Sequence, residues 1–313
     1  MLQTLMICGQ GRKALSVLAS ALMLLVTPAA ARAQDQWQIG TAPSFSSGRY
    51  GTDTRTEVLH TPITARRLFA DGDLTVVVPY TCITGNGGVT VVNGTPVRKE
   101  TSADSGPVTD GTSVRTGTTT DGRTRDTSGT EGDAASVDLR PGTGALPEPV
   151  SNCGVGDIVV RGRYYLVDER GWLPTIAVRA HVKTPTASAE RGLGTGRPDE
   201  GIGIEISRMF VGGFMAMVDG GYTVIGKPAG AEFTNTWWYD VGVGQNLANG
   251  TVNVSVFFEE YAAIVPGLAT ARDVLAALSV KAAAGWRVQV SGQFGLSDGA
   301  PDHGVTIGAS RRF

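Results

Sequence analysis

The residues best suited to acid–base chemistry are few and far apart in the sequence. The chain has 3 histidines, His60, His181 and His303, and of these only His303 stands next to a carboxylate, that of Asp302. An adjacent Asp–His pair is a weak signal, because a catalytic triad also needs an activated nucleophile, and no serine lies in a nucleophile-elbow motif. We therefore predict no catalytic residues and no enzymatic activity, with a hydrolase at Asp302 and His303 as the alternative.

The glycine-rich motif and the overall charge give no sign of a phosphate, metal or nucleic-acid site. The segment 192–196 is Gly-Leu-Gly-Thr-Gly, but it lacks the Lys-Ser/Thr ending of a phosphate loop and does not open a helix. No His/Asp spacing matches a known metal site. A formal net charge of −2 leaves no basic footprint for a polyanion. We predict no metal, no cofactor and no nucleic-acid partner.

The N-terminus has the features of an export signal. Arg12 and Lys13 precede the apolar run 14–26, and Ala31-Arg32-Ala33 fits a small-x-small cleavage site. We predict a cleaved signal peptide over residues 1–33, with an N-terminal membrane anchor as the alternative. The mature protein, residues 34–313, is then expected to be a single domain.

The second half of the chain alternates apolar and polar residues with period two. Val252, Val254, Val256 and Phe258 alternate with more polar neighbours, and the segments 174–184 and 286–296 repeat the pattern. Period two indicates strands, because successive side chains point to opposite faces. Alternating segments of about ten residues, separated by turns, are typical of transmembrane β-barrels. Strands are predicted near 36–48, 54–69, 72–83, 155–168, 173–184, 201–211, 213–226, 235–245, 250–261, 272–284, 286–297 and 303–313.

The connections between these segments support an up-and-down antiparallel barrel of about twelve strands in the bacterial outer membrane. Every second connection is tight, whereas the others, such as 185–200, 227–234 and 262–271, are longer. Short periplasmic turns and long outer loops are the expected asymmetry. A soluble β-sandwich is the alternative, but its strands are usually shorter. The terminal Phe313 resembles the signal read by the outer-membrane assembly machinery, so lipid and that machinery are the expected partners.

The longest connection, 84–154, differs in composition from the rest of the chain. From Arg98 to Val150 it consists largely of Thr, Gly, Ser and Asp, so it cannot bury enough apolar area to offset its ordering entropy. We predict a long, mostly disordered, low-complexity outer loop. Cys82 and Cys153 flank it at the outer ends of neighbouring strands, where the spacing suits a disulfide. Two free buried thiols are the alternative.

The face of each strand opposite the lipid carries most of the charge. In a wide barrel such residues line a channel, and in a narrow one they pair with each other and plug it. The sequence does not say which arginine meets which carboxylate. The candidates for the lumen are Arg161, Arg163, Arg179, His181, Lys183, Glu205, Asp219, Asp240, Lys281 and Arg287.

The order of several short motifs resembles a proteobacterial outer-membrane family named for the meta pathway of phenol degradation and often described as transporters. The resemblance spans nearly the whole mature chain, except the segment 98–150. It implies a barrel that passes small, often aromatic or hydrophobic, molecules, and it carries no residue-level mechanism. The motifs are the segments 47–51, Asp73-Leu74 to Pro79-Tyr80, 156–158, 182–186, 192–199 and 295–302.

These motifs are expected to shape loops. Pro185 ends the strand that contains Lys183, because proline cannot donate to the ladder. Gly192, Gly194 and Gly196 let the following loop turn sharply, into the barrel mouth. We expect Asp199 to cap that loop through backbone N–H groups.

Two non-enzymatic functions remain open at this point, beside the hydrolase at Asp302 and His303. The first is passive passage of a small solute, with selectivity from lumen charges and the inward-folded loop. The second is a closed structural or surface-binding barrel that presents the Thr/Gly/Asp-rich loop. Single-channel conductance separates the two.

Overall fold

The computed structural model describes residues 36–52, 54–92, 95–98, 149–228 and 231–313. The predicted leader and most of the low-complexity segment lie outside these residues, so both stay predictions. No helix in the described part of the chain is long and apolar enough to cross a membrane.

One antiparallel sheet of 14 strands and a separate two-stranded hairpin make up the described structure. The hairpin consists of β5 (Val89–Val92) and β6 (Thr95–Arg98), at the start of the long connection. The sheet contains β1 (Gln36–Thr41), β2 (Ser44–Gly48), β3 (Thr56–Phe69), β4 (Gly72–Gly85), β7 (Val150–Val155), β8 (Ile158–Val167), β9 (Thr175–Thr184), β10 (Asp199–Met209), β11 (Phe214–Val224), β12 (Thr236–Leu247), β13 (Val252–Tyr261), β14 (Ala271–Lys281), β15 (Trp286–Gly295) and β16 (His303–Arg312).

The sheet closes on itself, because its first and last strands pair. Thr41 lies opposite Ala309, and Ser44 lies opposite Thr306, so β1 and β2 together form one barrel strand against β16. In the same way β7 and β8 form one barrel strand against β4. The barrel therefore has twelve antiparallel strands, and the predicted fold class is confirmed.

The alternation of side chains sorts each strand into an outer and an inner face. On β10, Ile202, Ile204 and Ile206 are 60%, 54% and 42% exposed, whereas Glu205 between them is 7% exposed. The same pattern on β16 exposes Val305 and Ile307 to the outside. A belt of exposed aliphatic side chains around a closed barrel is unfavourable in water and favourable against hydrocarbon. The outer surface is therefore that of a transmembrane barrel.

The two ends of the barrel differ in the length of their connections. At the short-turn end, where both described termini lie, three of the turns are single 3₁₀ segments, at Val211–Gly213, Ala248–Gly250 and Ala283–Gly285. Gly212 and Gly285 adopt φ of 84° and 78°, which glycine reaches without strain. The opposite, long-loop end carries the connections 185–198 and 262–270, and β4 ends and β7 begins there.

Aromatic and cationic side chains mark the short-turn end on the outer face. The guanidinium of Arg311 lies 5.9 Å from the Trp286 ring and 4.9 Å from the Phe313 ring. Arg67 lies 5.9 Å from the ring of Trp37. Aromatic and basic residues at this level are typical of a membrane interface.

Two of the predicted strands are interrupted, and the predicted long loop is shorter than expected. The strand predicted over 36–48 is interrupted at Ala42 and Pro43, because proline has no N–H to donate to the ladder. The loop predicted over 84–154 is shorter, since β4 continues to Gly85 and pairs with β7 as far as Val150. The strand predicted from 155 is interrupted at Gly156 and Asp157, where the Asp157 carboxylate accepts a hydrogen bond from the backbone N–H of Ala187.

Candidate functional site: the barrel lumen and its mouth

Ion pairs between different strands line part of the lumen. The Arg66 guanidinium lies 2.6 Å from the Asp73 carboxylate, between β3 and β4. Arg163 on β8 lies 3.0 Å from Glu205 on β10, so this pair spans β9. Arg179 on β9 pairs with Asp219 on β11 in the same way. The last two contacts skip one strand, which sequence spacing alone does not reveal.

Five carboxylates on five consecutive strands stand in direct cross-strand register. Glu205 lies opposite Asp219, Asp219 opposite Asp240, Asp240 opposite Glu259, and Glu259 opposite Asp273. Like charges directly opposite each other destabilise a sheet. The cations of Arg163 and Arg179 offset this cost at Glu205 and Asp219. The ladder therefore gives one side of the lumen an acidic wall, which is bordered by the arginines of β8 and β9.

The ten predicted lumen candidates fall into separate groups. Arg163, Arg179, Glu205 and Asp219 form the two ion pairs described above. Arg161, His181 and Asp240 line one cavity in the lumen. Lys281 and Arg287 lie opposite each other near the short-turn end, where Arg287 Nη1 donates to Ser279 Oγ at 2.9 Å. Lys183 is fully buried near the long-loop end.

Lys183 is the centre of a buried polar cluster at the mouth. Its Nζ lies 3.1 Å from Asp157 Oδ2 and 2.8 Å from Asp199 Oδ2, and it donates to Thr195 Oγ1 at 3.0 Å. A buried ammonium is tolerable only when carboxylates and hydroxyls replace its water shell. The cluster therefore fixes β9, β10 and the break between β7 and β8 at one point.

The loop 185–198 folds over this cluster into the mouth. Leu193 is 1% exposed and packs in one apolar cluster with Val58 on β3 and Ile83 on β4. Both of these side chains are buried on the inner face of the barrel wall. Gly192 and Gly196 supply φ of 74° and 67° for the turns. The Asp157 carboxylate holds the backbone of this loop, because it accepts a hydrogen bond from the N–H of Ala187. The Asp199 carboxylate instead accepts a hydrogen bond from the backbone N–H of Gly226, outside the loop, at 2.9 Å. The cap expected from Asp199 is therefore made by Asp157.

The disulfide between Cys82 and Cys153 joins β4 and β7. The two residues are direct cross-strand partners, with a Cα–Cα distance of 4.0 Å. The bond encloses the long connection, since the sequence separation is 71.

Glycines make room for inward-facing rings along the barrel wall. A Cβ at Gly242 would stand 2.1 Å from Phe257 Cδ1, and one at Gly221 would stand 2.8 Å from the Trp238 indole. A Cβ at Gly201 would stand 2.1 Å from the His181 ring. The absence of a Cβ lets each ring lie against the wall rather than project into the lumen.

Two cavities meet at a pair of stacked aromatic rings. Trp238 and Tyr261 have ring centroids 6.3 Å apart with planes inclined by 21°. Toward the long-loop end they line an apolar cleft that is partly open to solvent, together with Ile225, Val265 and Leu268. Toward the interior the same two rings line a polar cavity.

Tyr50 closes one side of the apolar cleft from the connection between β2 and β3. It is 3% exposed, and its hydroxyl is 3.1 Å from Ser46 Oγ. Burial raises the pKa of Tyr50 to about 12, because the phenolate loses more hydration than the phenol. The hydroxyl therefore stays neutral at physiological pH.

The histidines do not form a catalytic arrangement. His60 Nδ1 is 3.0 Å from Thr81 Oγ1, and the Asp302 carboxylate pairs with Arg55 at 3.0 Å. His303 is exposed on the outer side of β16. Within the described residues, no group of three His, Cys, Asp or Glu side chains is arranged to hold a metal ion.

Sequence reasoning did not select several residues that the structure places in the site. Asp73 and Arg66 pair across a hairpin, and period two alone puts both on the inner face of their strands. The same alternation of side chains also places Glu259 and Asp273 on the inner face of their strands. Alternation gives no such prediction for Asp157, because Asp157 lies where the strand is interrupted. The reason for the interruption is its contact with the loop 185–198.

Comparison with known proteins supports the fold. A family model described as "Putative MetA-pathway of phenol degradation" matches residues 65–313. The COG4313 outer membrane channel from Pseudomonas putida F1 superposes with a TM-score of 0.60 at 10% identity, covering 92% of this chain and 100% of that chain. The CymD monoaromatic hydrocarbon channel gives a TM-score of 0.42 at 9% identity, over 90% of this chain and 89% of that chain. Comparison with curated proteins gives no match. At these identities the structural likeness concerns the fold, which is that of an outer-membrane β-barrel.

Proposed function

We propose that this chain, which belongs to the MetA-pathway phenol-degradation family, is a passive channel through which small apolar molecules, aromatic ones among them, cross the outer membrane. The lumen is the path, and the loop 185–198 and the hydrophobic cleft shape its outer entrance. The protein then provides a path for the solute and catalyses no reaction on it.

The observation that carries the proposal is the junction at Trp238 and Tyr261. Both side chains line the apolar cleft at the mouth and also the polar cavity in the lumen. A solute that enters the cleft therefore reaches the lumen by passing one pair of rings. Aliphatic and aromatic walls favour an apolar solute at the entrance, since its burial removes apolar surface from water.

The direct test is solute uptake across a membrane that is itself a barrier to apolar molecules. Vesicles with lipopolysaccharide in the outer leaflet would be loaded with the purified mature protein, and entry of phenol would be followed by absorbance. We expect faster entry than in protein-free vesicles, and slower entry with Ile225→Asp and Val265→Asp, which place charge in the cleft. Equal entry with and without the protein would contradict the proposal.

One observation favours a closed barrel as a second candidate. The loop 185–198 lies in the mouth, where Leu193 is 1% exposed against Val58 and Ile83. If this loop seals the entrance, the protein is a structural or surface-binding barrel that presents the long outer segment. Phenol entry that stays at the protein-free rate in wild type and rises when residues 187–196 are shortened would support this candidate.

We also propose that the last strand serves as the signal for the assembly machinery. Phe313 is 61% exposed, and its backbone N–H donates to Trp37 O at 2.8 Å, so it stands at the seam that closes the barrel. Deletion of Phe313 is expected to reduce the amount of folded protein in outer membranes without changing in vitro refolding in detergent. A loss in both assays would show a structural role instead.

A further inference from the structure

Arg161 on β8 differs from the neighbouring arginines of the lumen in having no carboxylate partner among the described residues. Arg66, Arg163 and Arg179 each form an ion pair. The charged or titratable side chains that act on Arg161 most strongly are a second cation, Arg179, and the phenol of Tyr261. Within the described part of the chain, no carboxylate therefore offsets its positive charge.

The Arg161 side chain is nonetheless accessible from inside the barrel. It lines the polar cavity with His181, Trp238, Asp240 and Tyr261. Two small residues, Gly162 and Gly203, complete part of the wall. Arg161 is exposed to the lumen, and a charged residue that faces a cavity inside a membrane-spanning segment is a candidate for ligand binding.

The carboxylate in the same cavity does not pair with Arg161. Asp240 interacts electrostatically with Arg179 and stands in register with Asp219, the ion-pair partner of Arg179. Arg179 also lies over the Trp238 ring at 5.5 Å, which ties it to the aromatic wall. The cavity thus combines one uncompensated guanidinium, two stacked rings and a partly neutralised carboxylate.

We propose that Arg161 binds the carboxylate of a monocyclic aromatic acid whose ring lies against Trp238 and Tyr261. A guanidinium presents a planar fork that matches a carboxylate with two parallel hydrogen bonds. The two aromatic side chains offer faces and edges for the ligand ring. Asp240 disfavours a second negative charge, so the ligand class is a monoanion such as benzoate. This inference rests on the proposed function, because the lumen must admit the solute.

Calorimetric titration of the folded, full mature protein in detergent tests the proposal, with benzoate and its neutral isostere benzamide as probes. We expect wild type to bind benzoate at least about tenfold more tightly than benzamide, since hydrogen bonds to charged groups are the stronger kind. Arg161→Gln should remove this preference and leave benzamide unchanged. Arg55→Gln removes one positive charge from a surface pair and should behave as wild type.

Further ligands and variants keep each outcome decisive. Cyclohexanecarboxylate should bind more weakly than benzoate, and equal binding would overturn the aromatic part of the proposal. If Arg161→Gln does not fold, Arg161→Lys keeps the charge without the fork and should lose part of the benzoate preference. Equal affinity of wild type for benzoate and benzamide, or full benzoate affinity in Arg161→Gln, would overturn the site.

Conductance of the same protein preparation separates this inference from the proposed function. Open channels without benzoate preference would contradict the Arg161 site alone. Benzoate binding in a barrel that never conducts would support the site and contradict passive passage.

Discussion

Lys183 and Asp199 form a fully buried ion pair at the mouth of the barrel, with Nζ 2.8 Å from Oδ2 and both side chains at 0% exposure. Asp157 completes the cluster from the adjacent barrel strand, 3.1 Å from the same Nζ. The charge of one lysine therefore holds three chain segments together.

Lys183→Met should destabilise the protein by about 3–5 kcal/mol, because it leaves two carboxylates buried beside each other without their cation. Denaturant unfolding in detergent, followed by Trp fluorescence, would measure the shift. Lys281→Met is the matched control, since Lys281 is exposed at the short-turn end. Equal midpoints for the two variants would show that the cluster contributes little.

The sequence predicts the barrel well because its signals are local. Alternation in β10 and β13 and the tight turns at Gly212 and Gly285 each depend on a few neighbouring residues. The breaks at Pro43 and Asp157 are different, since Asp157 turns inward for a partner thirty positions away, Ala187. Pairing in the lumen is also non-local, because Arg179 meets Asp219 across an intervening strand and depends on the register of both hairpins.

Gly242→Ala should force the Phe257 ring off the barrel wall, because the new Cβ would stand 2.1 Å from Cδ1. We expect a loss of about 1–3 kcal/mol from overpacking, and a smaller single-channel conductance as the ring moves into the lumen. Gly292→Ala is the control, since its nearest neighbour, on Phe294, is 3.6 Å away. A conductance unchanged in Gly242→Ala would mean that this ring does not border the path.

The Cys82–Cys153 disulfide should stabilise the long-loop end of β4 and β7. Closing a loop of 71 residues is worth about 4 kcal/mol in the chain-entropy account. The Cys82→Ser, Cys153→Ser double variant should therefore unfold at lower denaturant concentration, and reductant should lower the wild-type midpoint equally. Mass spectrometry without reductant should find neither of these two thiols free in the purified protein, and a free Cys82 would contradict the bond.

The stability of the protein at alkaline pH should depend on the burial of Tyr50. Its pKa is raised from 10.0 to about 12 by burial, so the unfolded chain loses this proton first and stability falls between those two values as pH rises. Relative to Tyr50→Phe, wild type should lose additional stability between pH 10 and 12 and keep it below pH 10. Identical pH profiles would indicate that the hydroxyl is hydrated in the folded protein.

Single-channel recording in a planar bilayer tests the central claim, a continuous path through the lumen past Trp238 and Tyr261. We predict discrete conductance steps from protein whose heat-modifiable mobility shows that it is folded, with smaller steps for Gly242→Ala. Folded protein that inserts and stays electrically silent, in wild type and in a variant lacking residues 187–196, would contradict it.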